Sequence, residues 1–266
     1  MPSILRLRRS ALAAIVCALA VLWVSLAAAG VRDDPLIAAA SDLRFALEEI
    51  AARFERETGQ GVRLTFGSSG SFARQIEQGA GFEMFLSADE ELVFRLADKG
   101  LTKDRGALYA IGRLALVVPA GSPVSPSGDL TGLRAALAAH RVKRFAIANP
   151  EHAPYGRAAE EALRHAGLWE PLRPHLVFGE NVSQAAQFAV ADGSQGGLIA
   201  GSLALAPSMQ GRGRFALVPA SWHRPLRQRM VLLRDATPAA GRFHAYVLSD
   251  AGREIMKRYG FELPAG

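Results

Sequence analysis

The alternation of hydrophobic and polar positions predicts strands and amphipathic helices in turn along this 266-residue chain. Short apolar runs read "PLIAAA", "VRLTF" and "FEMFL", and each is followed by a stretch with helical spacing. In the first such stretch, apolar residues recur three or four positions apart, at Leu43, Leu47, Ile50 and Phe54. A strand period that alternates with a helix period is typical of α/β proteins. We therefore predict mainly parallel sheets with helices on both faces.

Local signals predict where several of these helices begin and end. Gly59, Gly79 and Gly100 each follow a helical stretch, at the place where a helix favours a glycine just past its last turn. Ser87 and Glu90 have the spacing of a capping box and predict the start of the third helix.

A change of composition divides the chain into two lobes. The segment "AGSPVSPSGDLTG", rich in Pro, Ser and Gly, follows an apolar run that ends near Val118 and precedes a second α/β series. After Trp222, "QRMVLL" and two closing helices resemble the material of the first series. We predict lobe I at residues 30–118 plus 222–266 and lobe II at residues 119–221. Two crossings between lobes are typical of a hinged clamp.

Residues 1–29 have the pattern of a secretory signal peptide. Arg6, Arg8 and Arg9 precede an apolar run that ends in small residues just before Gly30. The run is close to the ~20 residues that span a bilayer, so an uncleaved membrane anchor is the alternative. We expect cleavage near Gly30.

Charge and cysteine content narrow the class of protein once this segment is removed. Loss of its three arginines lowers the formal net charge from +6 to +3, which is weak support for a nucleic-acid partner, and we expect none. The only cysteine, Cys17, lies in the signal peptide, so the mature chain has no disulfide and no cysteine metal ligand. A signal peptide without disulfides favours a bacterial periplasm.

Four predicted strand-to-helix junctions consist of small or polar residues. They read "AAASDL", "FGSSGS", "ANPEHAPYG" and "GENVSQ", two in each predicted lobe, and contain Ser41, Ser68, Ser69, Ser71, Tyr155 and Val182. Ligands of open α/β sheets bind where helix N-termini point unpaired N–H groups. Each helix end carries roughly half a positive charge, so four approach the charge of a dianion. The pattern predicts a receptor for a small, fully ionised oxyanion.

Other interpretations of these residues are weaker. The serines can be ordinary helix caps without a ligand. Neither phosphate-loop pattern is present, and a nucleophile elbow requires glycine where the chain has Ser71. A hydrolase or transferase that uses Ser69 as nucleophile lacks a recognisable base and acid, so we expect no enzyme. The histidines show no zinc spacing, and no free metal ion or cofactor is expected.

The motifs "AAASDLRFALEEIAARFERETG", "FGSSGSFARQIEQGAGFEMFLSADE", "ANPEHAPYGRAAEEALRHAGLW" and "ENVSQAAQF" closely resemble the periplasmic molybdate-binding proteins of ABC transporters. The resemblance covers essentially the whole mature chain. It implies two α/β lobes of the type II periplasmic-binding fold, joined by two hinge crossings. It also implies a monomer that captures molybdate, and also tungstate, as an oxyanion between the lobes and delivers it to a membrane permease.

The same resemblance assigns roles to individual positions. It implies that Ser41 binds an anion oxygen through its hydroxyl and N–H, and that Asp42 adds its own N–H. It places the second serine at Ser69, a phenol at Tyr155 and a backbone N–H donor at Val182.

One position departs from the family's pattern. Many members have a tyrosine in the strand exit written here "GGLIAGS", where this chain has Ala200. We interpret this as relocation of one hydrogen bond to Tyr155. A receptor for another tetrahedral oxyanion, such as sulfate or phosphate, stays open as the alternative, as does a ligand-sensing or adhesion module without transport.

Overall fold

The computed structural model describes residues Asp34–Pro264, and two five-stranded sheets organise them; the predicted signal peptide lies outside these residues. The strands in chain order are β1 (Leu36–Ala40), β2 (Arg63–Gly67), β3 (Met84–Ser87), β4 (Ala107–Gly112), β5 (Leu114–Pro119), β6 (Phe145–Ala148), β7 (Leu176–Gly179), β8 (Gly197–Ala200), β9 (Gly213–Leu217) and β10 (Leu226–Leu232).

The helices of the same residues are α1 (Arg44–Thr58), α2 (Ser69–Glu77), α3 (Glu90–Asp98), α4 (Thr131–Ala138), α5 (Pro154–His165), α6 (Trp169–Leu172), α7 (Val182–Ala189), α8 (Gly201–Ala204), α9 (Pro238–Leu248) and α10 (Asp250–Arg258). None of these described helices is long and apolar enough to cross a membrane.

The two sheets have the same plan. The first has the order β2-β1-β3-β10-β4 and the second the order β7-β6-β8-β5-β9. In each, three parallel strands lie on one side, and an antiparallel strand, β10 or β5, joins them to the edge strand. We call the first sheet with α1–α3, α9 and α10 lobe I, and the second with α4–α8 lobe II. The predicted two-lobe α/β fold is confirmed, with mixed sheets.

The chain passes from lobe I to lobe II at Arg113, the single residue between β4 and β5. The sequence analysis placed this crossing near Val118, after β5, and that placement is wrong. β5 pairs with β8 and β9 and therefore already belongs to the second sheet. The Pro- and Ser-rich segment after β5 is a loop inside lobe II. Two apolar strands with one residue between them carry no compositional sign that they belong to different sheets. The return crossing, residues 218–225, contains Trp222 as expected.

The closing helices pack on lobe I. The ring of Phe243 in α9 lies 5.3 Å from that of Phe54 in α1, edge to face. Ile255 of α10 belongs to the same buried cluster, with Ile37 of β1. Burial of these apolar side chains against β1 and α1 is what returns the end of the chain to the first lobe.

Helix boundaries agree with the sequence at some ends and differ at others. Gly59 follows α1 with a φ of 72°, the left-handed conformation expected there. α2 begins at Ser69 rather than near Ser71. The predicted capping box is wrong, because Asp89 caps α3 by accepting the N–H of Glu91 at 3.0 Å. Ser87 instead ends β3. A carboxylate nearer the helix offers the N-terminal amides a stronger acceptor.

Candidate functional site

Four strand-to-helix junctions converge on one small cavity between the lobes. It lies at the ends of β1 and β2 in lobe I and at the starts of α5 and α7 in lobe II. The residues that line it are Ala40, Ser41, Asp42, Gly67, Ser68, Ser69, Ala88, Ala153, Pro154, Tyr155 and Val182. All five residues that the sequence proposed as ligand-binding are therefore brought together.

The cavity is tight, and none of the described residues that line it is Lys, Arg or His. Its volume is about 10 Å³. Pockets for organic ligands of drug size are roughly 300–1,000 Å³. A cavity this small excludes an organic ligand of drug size.

Ser69 presents two donors to the cavity. It is the first residue of α2, and its hydroxyl oxygen accepts the N–H of Ala88 at 3.0 Å. This bond fills an acceptor position of the hydroxyl and leaves its hydrogen without a protein acceptor within residues 34–264. The backbone N–H of Ser69 is also without one there, as expected in the first turn of a helix.

Ser41 is arranged in the same way across the lobe boundary. Its hydroxyl oxygen accepts the N–H of Ser183 at 3.3 Å, and the Ser183 hydroxyl donates to the Ser41 carbonyl at 2.8 Å. The Ser41 hydrogen has no acceptor elsewhere in the described part of the chain. Both predicted serines thus have hydroxyl oxygens that already accept backbone N–H groups.

Lobe II contributes backbone donors from two helix starts. α5 begins with Pro154 as its first residue, and the N–H of Tyr155 follows. α7 begins at Val182, after Asn181, whose side chain accepts the N–H of Gln184 at 3.1 Å. Among the described residues, the N–H groups of Tyr155 and Val182 have no protein acceptor. Both helices direct the positive end of their dipole into the cavity.

A buried polar network adjoins the cavity. The Tyr109 hydroxyl donates to Gln228 Oε1 at 2.8 Å, and Gln228 Nε2 donates to Asp42 Oδ2 at 2.6 Å and to the Tyr155 hydroxyl at 3.2 Å. All four side chains are buried. The network joins Tyr155 of lobe II to three residues of lobe I.

Asp42 is a carboxyl group in the wall of a cavity otherwise rich in donors. Burial raises the pKa of Asp42 from 3.8 to about 6, and hydrogen bonds from Gln228, Tyr155 and the backbone N–H groups of Asp42 and Leu43 oppose that rise. The resemblance assigns the Asp42 N–H to the ligand, and that assignment stays a prediction. Burial and the nearby Asp42 charge raise the pKa of Tyr155 well above its usual value.

Two of these residues, Tyr109 and Gln228, were missed by the sequence reasoning. Buried and more exposed positions alternate along β10, and Gln228 shares the buried face with Leu226 and Met230. It is therefore a polar residue on an inward face. That alternation is a readable signal, because a buried amide requires hydrogen-bond partners.

Two glycines permit close approach between the lobes. A Cβ at Gly70 would lie 2.4 Å from the His152 carbonyl oxygen, which accepts the Gly70 N–H at 3.0 Å and the Ser68 hydroxyl at 2.6 Å. A Cβ at Gly112 would lie 2.2 Å from the Tyr155 hydroxyl. The structure is therefore a closed arrangement in which only glycine fits at both positions.

The position that departs from the family's pattern lies beside the cavity. Ala200 ends β8, is fully buried and does not line the cavity. Two residues later, the Ser202 hydroxyl donates to the Asp42 carbonyl at 2.8 Å. Within residues 34–264, no group of three or more His, Cys, Asp or Glu side chains is placed to hold a metal ion.

Comparisons with known proteins show the family of the chain. Residues 35–262 match the family model described as bacterial extracellular solute-binding protein. The molybdate-binding protein ModA of Azotobacter vinelandii is 33% identical over 241 residues, covering 90% of this chain and 93% of that protein. The protein of the same name from Rhodobacter capsulatus is 34% identical, with 90% and 92% covered.

Solved structures are similar in fold. The periplasmic molybdate-binding protein of Azotobacter vinelandii superposes with a TM-score of 0.79 at 27% identity, covering 87% of this chain and 100% of that chain. The sulfate-binding protein SubI of Mycobacterium tuberculosis has a TM-score of 0.67 at 14% identity, with 86% of each chain covered, and shows the shared fold alone.

Proposed function

This chain belongs to the bacterial extracellular solute-binding proteins and, among them, to the family of the molybdate-binding proteins ModA, and from that premise we propose that it captures molybdate in the cavity between its lobes. It delivers the anion to the permease of an ABC transporter. Similarity over nine-tenths of the chain supports this function, and so does the chemistry of the cavity.

The arrangement of the two serines carries the proposal. Because backbone N–H groups of Ala88 and Ser183 already occupy the hydroxyl oxygens of Ser69 and Ser41, each hydroxyl hydrogen is left for an acceptor in the cavity. The free N–H groups of Ser69, Tyr155 and Val182 add three more donors. Charge-assisted hydrogen bonds contribute ~1.5–3 kcal/mol each, so a fully ionised oxyanion is bound without a formal counter-ion.

The same geometry supports binding rather than catalysis. Within residues 34–264, the Ser69 hydroxyl makes no hydrogen bond to a basic side chain, and its oxygen accepts the N–H of Ala88. Ser68 lies 3.0 Å from His152 Nδ1, and His152 Nε2 lies 3.5 Å from Glu180, which resembles a triad. However, the Ser68 hydroxyl donates to the His152 carbonyl at 2.6 Å. A nucleophile requires that its proton be passed to the base, and here the proton is held elsewhere.

Further parts of the function are extensions of this proposal. We place the protein in the periplasm, where the similar Azotobacter protein is found according to its description. We also propose that it acts as a monomer without a cofactor and accepts tungstate, because tungstate has the same charge and tetrahedral shape. Sulfate and phosphate are the competing ligands, because the backbone N–H groups of lobe II can donate to the oxygens of any tetrahedral oxyanion.

Calorimetric titration of the purified protein with molybdate, tungstate, sulfate and phosphate tests the proposal. Molybdate and tungstate are expected to bind with one site and to exceed sulfate in affinity by at least tenfold. Equal affinity for all four anions would contradict a preference for molybdate and would mean that the protein is a general oxyanion receptor. Absence of binding to all four would reject the function.

A further inference from the structure

We propose that Asp42 is neutral in the loaded protein, so that each oxyanion is captured together with one proton. This inference rests on the proposed function and names a property of the same site. It concerns Asp42, which lies in the lining of the cavity and has a buried carboxyl group.

The first observation is that Asp42 offers an acceptor where the ligand also offers only acceptors. Its Oδ2 receives the amide of Gln228 at 2.6 Å. Its Oδ1 is buried and receives no well-oriented hydrogen bond within residues 34–264, although the Tyr155 hydroxyl lies near the carboxyl group. A negative carboxylate so close to the cavity and a dianion inside it repel each other, and protonation of Oδ1 removes that charge.

The second observation is the lack of a compensating positive charge. The groups that face the Asp42 side chain are Tyr109 on β4, Tyr155 on α5 and Gln228 on β10. None of these three carries a positive charge, and no Lys, Arg or His lines the cavity. With both charges buried, the repulsion between a carboxylate and a dianion is only weakly screened. Protonation of Asp42 removes it.

In the closed arrangement, the fold already favours the neutral form of Asp42 more than solvent does. Burial raises the pKa of Asp42 to about 6 before any ligand enters. A like charge nearby raises the pKa of a carboxyl group further. An oxyanion in the cavity therefore draws a proton from solvent onto Asp42 at neutral pH, and the carboxylate becomes a carboxylic acid with no other bond made or broken.

Protonation also changes what Tyr155 can do. Its hydroxyl oxygen accepts from Gln228, so its hydrogen is available either to the Asp42 carboxylate or to the ligand. When Asp42 is ionised, its carboxylate competes with the ligand for the hydrogen of the phenol. When Asp42 is neutral, the phenol is free to donate to an anion oxygen. One proton thus removes a repulsion and releases a donor.

The proposal predicts a pH-dependent affinity. If one proton is taken up per anion, the dissociation constant rises about tenfold per pH unit above the pKa of Asp42 in the free protein. Asp42→Asn resembles the neutral acid in shape and donor capacity, so its affinity is expected to be nearly independent of pH between 6.5 and 8.5. At pH 8.5 this variant is expected to bind molybdate at least tenfold more tightly than the wild type.

The decisive experiment is calorimetric titration with molybdate at pH 7.5 in two buffers of different ionisation enthalpy, which gives the number of protons taken up. We expect close to one proton for the wild type and close to none for Asp42→Asn. Asp89→Asn is the matched control. It makes the same chemical change in the neighbouring groove, at the residue that caps α3. Asparagine is as good a helix cap as aspartate, so this variant is expected to fold and to keep the wild-type proton count.

Each outcome decides the matter. Molybdate binding by the wild type without proton uptake would overturn the inference and leave the proposed function intact, and so would uptake that persists in Asp42→Asn. No molybdate binding by the wild type would reject both. If Asp42→Asn does not fold, infrared difference spectroscopy of the wild type decides, because a carboxylic acid band that appears with molybdate is expected and its absence would overturn the inference.

Discussion

Lobe I and lobe II share one strand order but bring different chemistry to the cavity between them. Lobe I contributes side chains, the hydroxyls of Ser41 and Ser69 and the carboxyl of Asp42. Lobe II contributes mainly backbone N–H groups at the starts of α5 and α7, with one phenol from Tyr155. Single substitutions can therefore remove the side-chain groups of lobe I. The backbone N–H groups of lobe II cannot be removed in this way, and they reach the cavity only when the lobes close.

The pH dependence of folding gives the largest expected effect, and it isolates the one acid in the cavity wall. The folded pKa of Asp42, about 6, lies above the unfolded value of 3.8, so its contribution to stability is present below pH 4 and is lost as pH rises through 6. In anion-free protein, the free energy of unfolding of the wild type relative to Asp42→Asn is expected to fall by about 2.4 kcal/mol between pH 4 and 7. Urea denaturation of both proteins measures it. A difference that does not change with pH would contradict the prediction.

Removal of a lobe I hydroxyl is expected to weaken binding next most. Ser69→Ala deletes a donor to an anion oxygen and should cost ~1.5–3 kcal/mol, or roughly ten- to a hundredfold in Kd. Ser71→Ala is the control in the same helix, because the Ser71 hydroxyl accepts only from Arg74 on the exposed surface. Calorimetric titration with molybdate compares the two. Equal losses of affinity in the two variants would mean that the hydroxyl of Ser69 makes no direct hydrogen bond to the anion.

A substitution at Gly70 tests whether lobe II acts through closure. The added methyl group of Gly70→Ala would meet the His152 carbonyl across the boundary, while lobe I alone is unaffected. We expect a cost of ~2 kcal/mol in molybdate binding, as for overpacking of a tight contact. Gly241→Ala, where the nearest atom is 4.0 Å away, is the control in another lobe I helix. A wild-type Kd for Gly70→Ala would show that the lobes do not close this tightly around the anion.

The smallest effect is expected for the phenol of lobe II. Tyr155→Phe keeps the backbone N–H and the ring but removes the hydroxyl, and about tenfold weaker binding is expected if the phenol donates to the anion. The melting temperature of the anion-free variant serves as control, because Gln228 and Asp42 also lose a partner. Binding equal to wild type would mean that the phenol serves the buried network alone.

Residues with local signals were predictable from the sequence, and residues placed by topology were not. Ser41, Ser69, Tyr155 and Val182 follow strand-like runs directly, so their position at helix starts could be predicted. The role of the side chain of Asp42 could not, because its burial comes from elements distant in sequence, among them Gln228 on β10. Pairing between strands so far apart leaves no periodic trace.

The boundary between the lobes shows the same limit. Loops rich in Pro and Ser are visible in composition, but Arg113 connects two sheets with no loop at all. The helix ends were better predicted, since Gly59 adopts the left-handed conformation for reasons contained within a few residues.

The insertion of lobe II between β4 and β10 has a consequence for the order of folding. Both partners of β4 come late in the chain: β10 follows after residues 113–225, and Glu262 forms an antiparallel bridge with Ile111 of β4. Lobe II is continuous from Leu114 to Leu217, so its sheet can form as soon as its own residues are available. During synthesis from the N-terminus, lobe I must wait with an unpaired β4 until the end of the chain appears. Refolding is therefore expected to proceed with lobe II as the faster unit, because lobe I requires the more distant strand pairing.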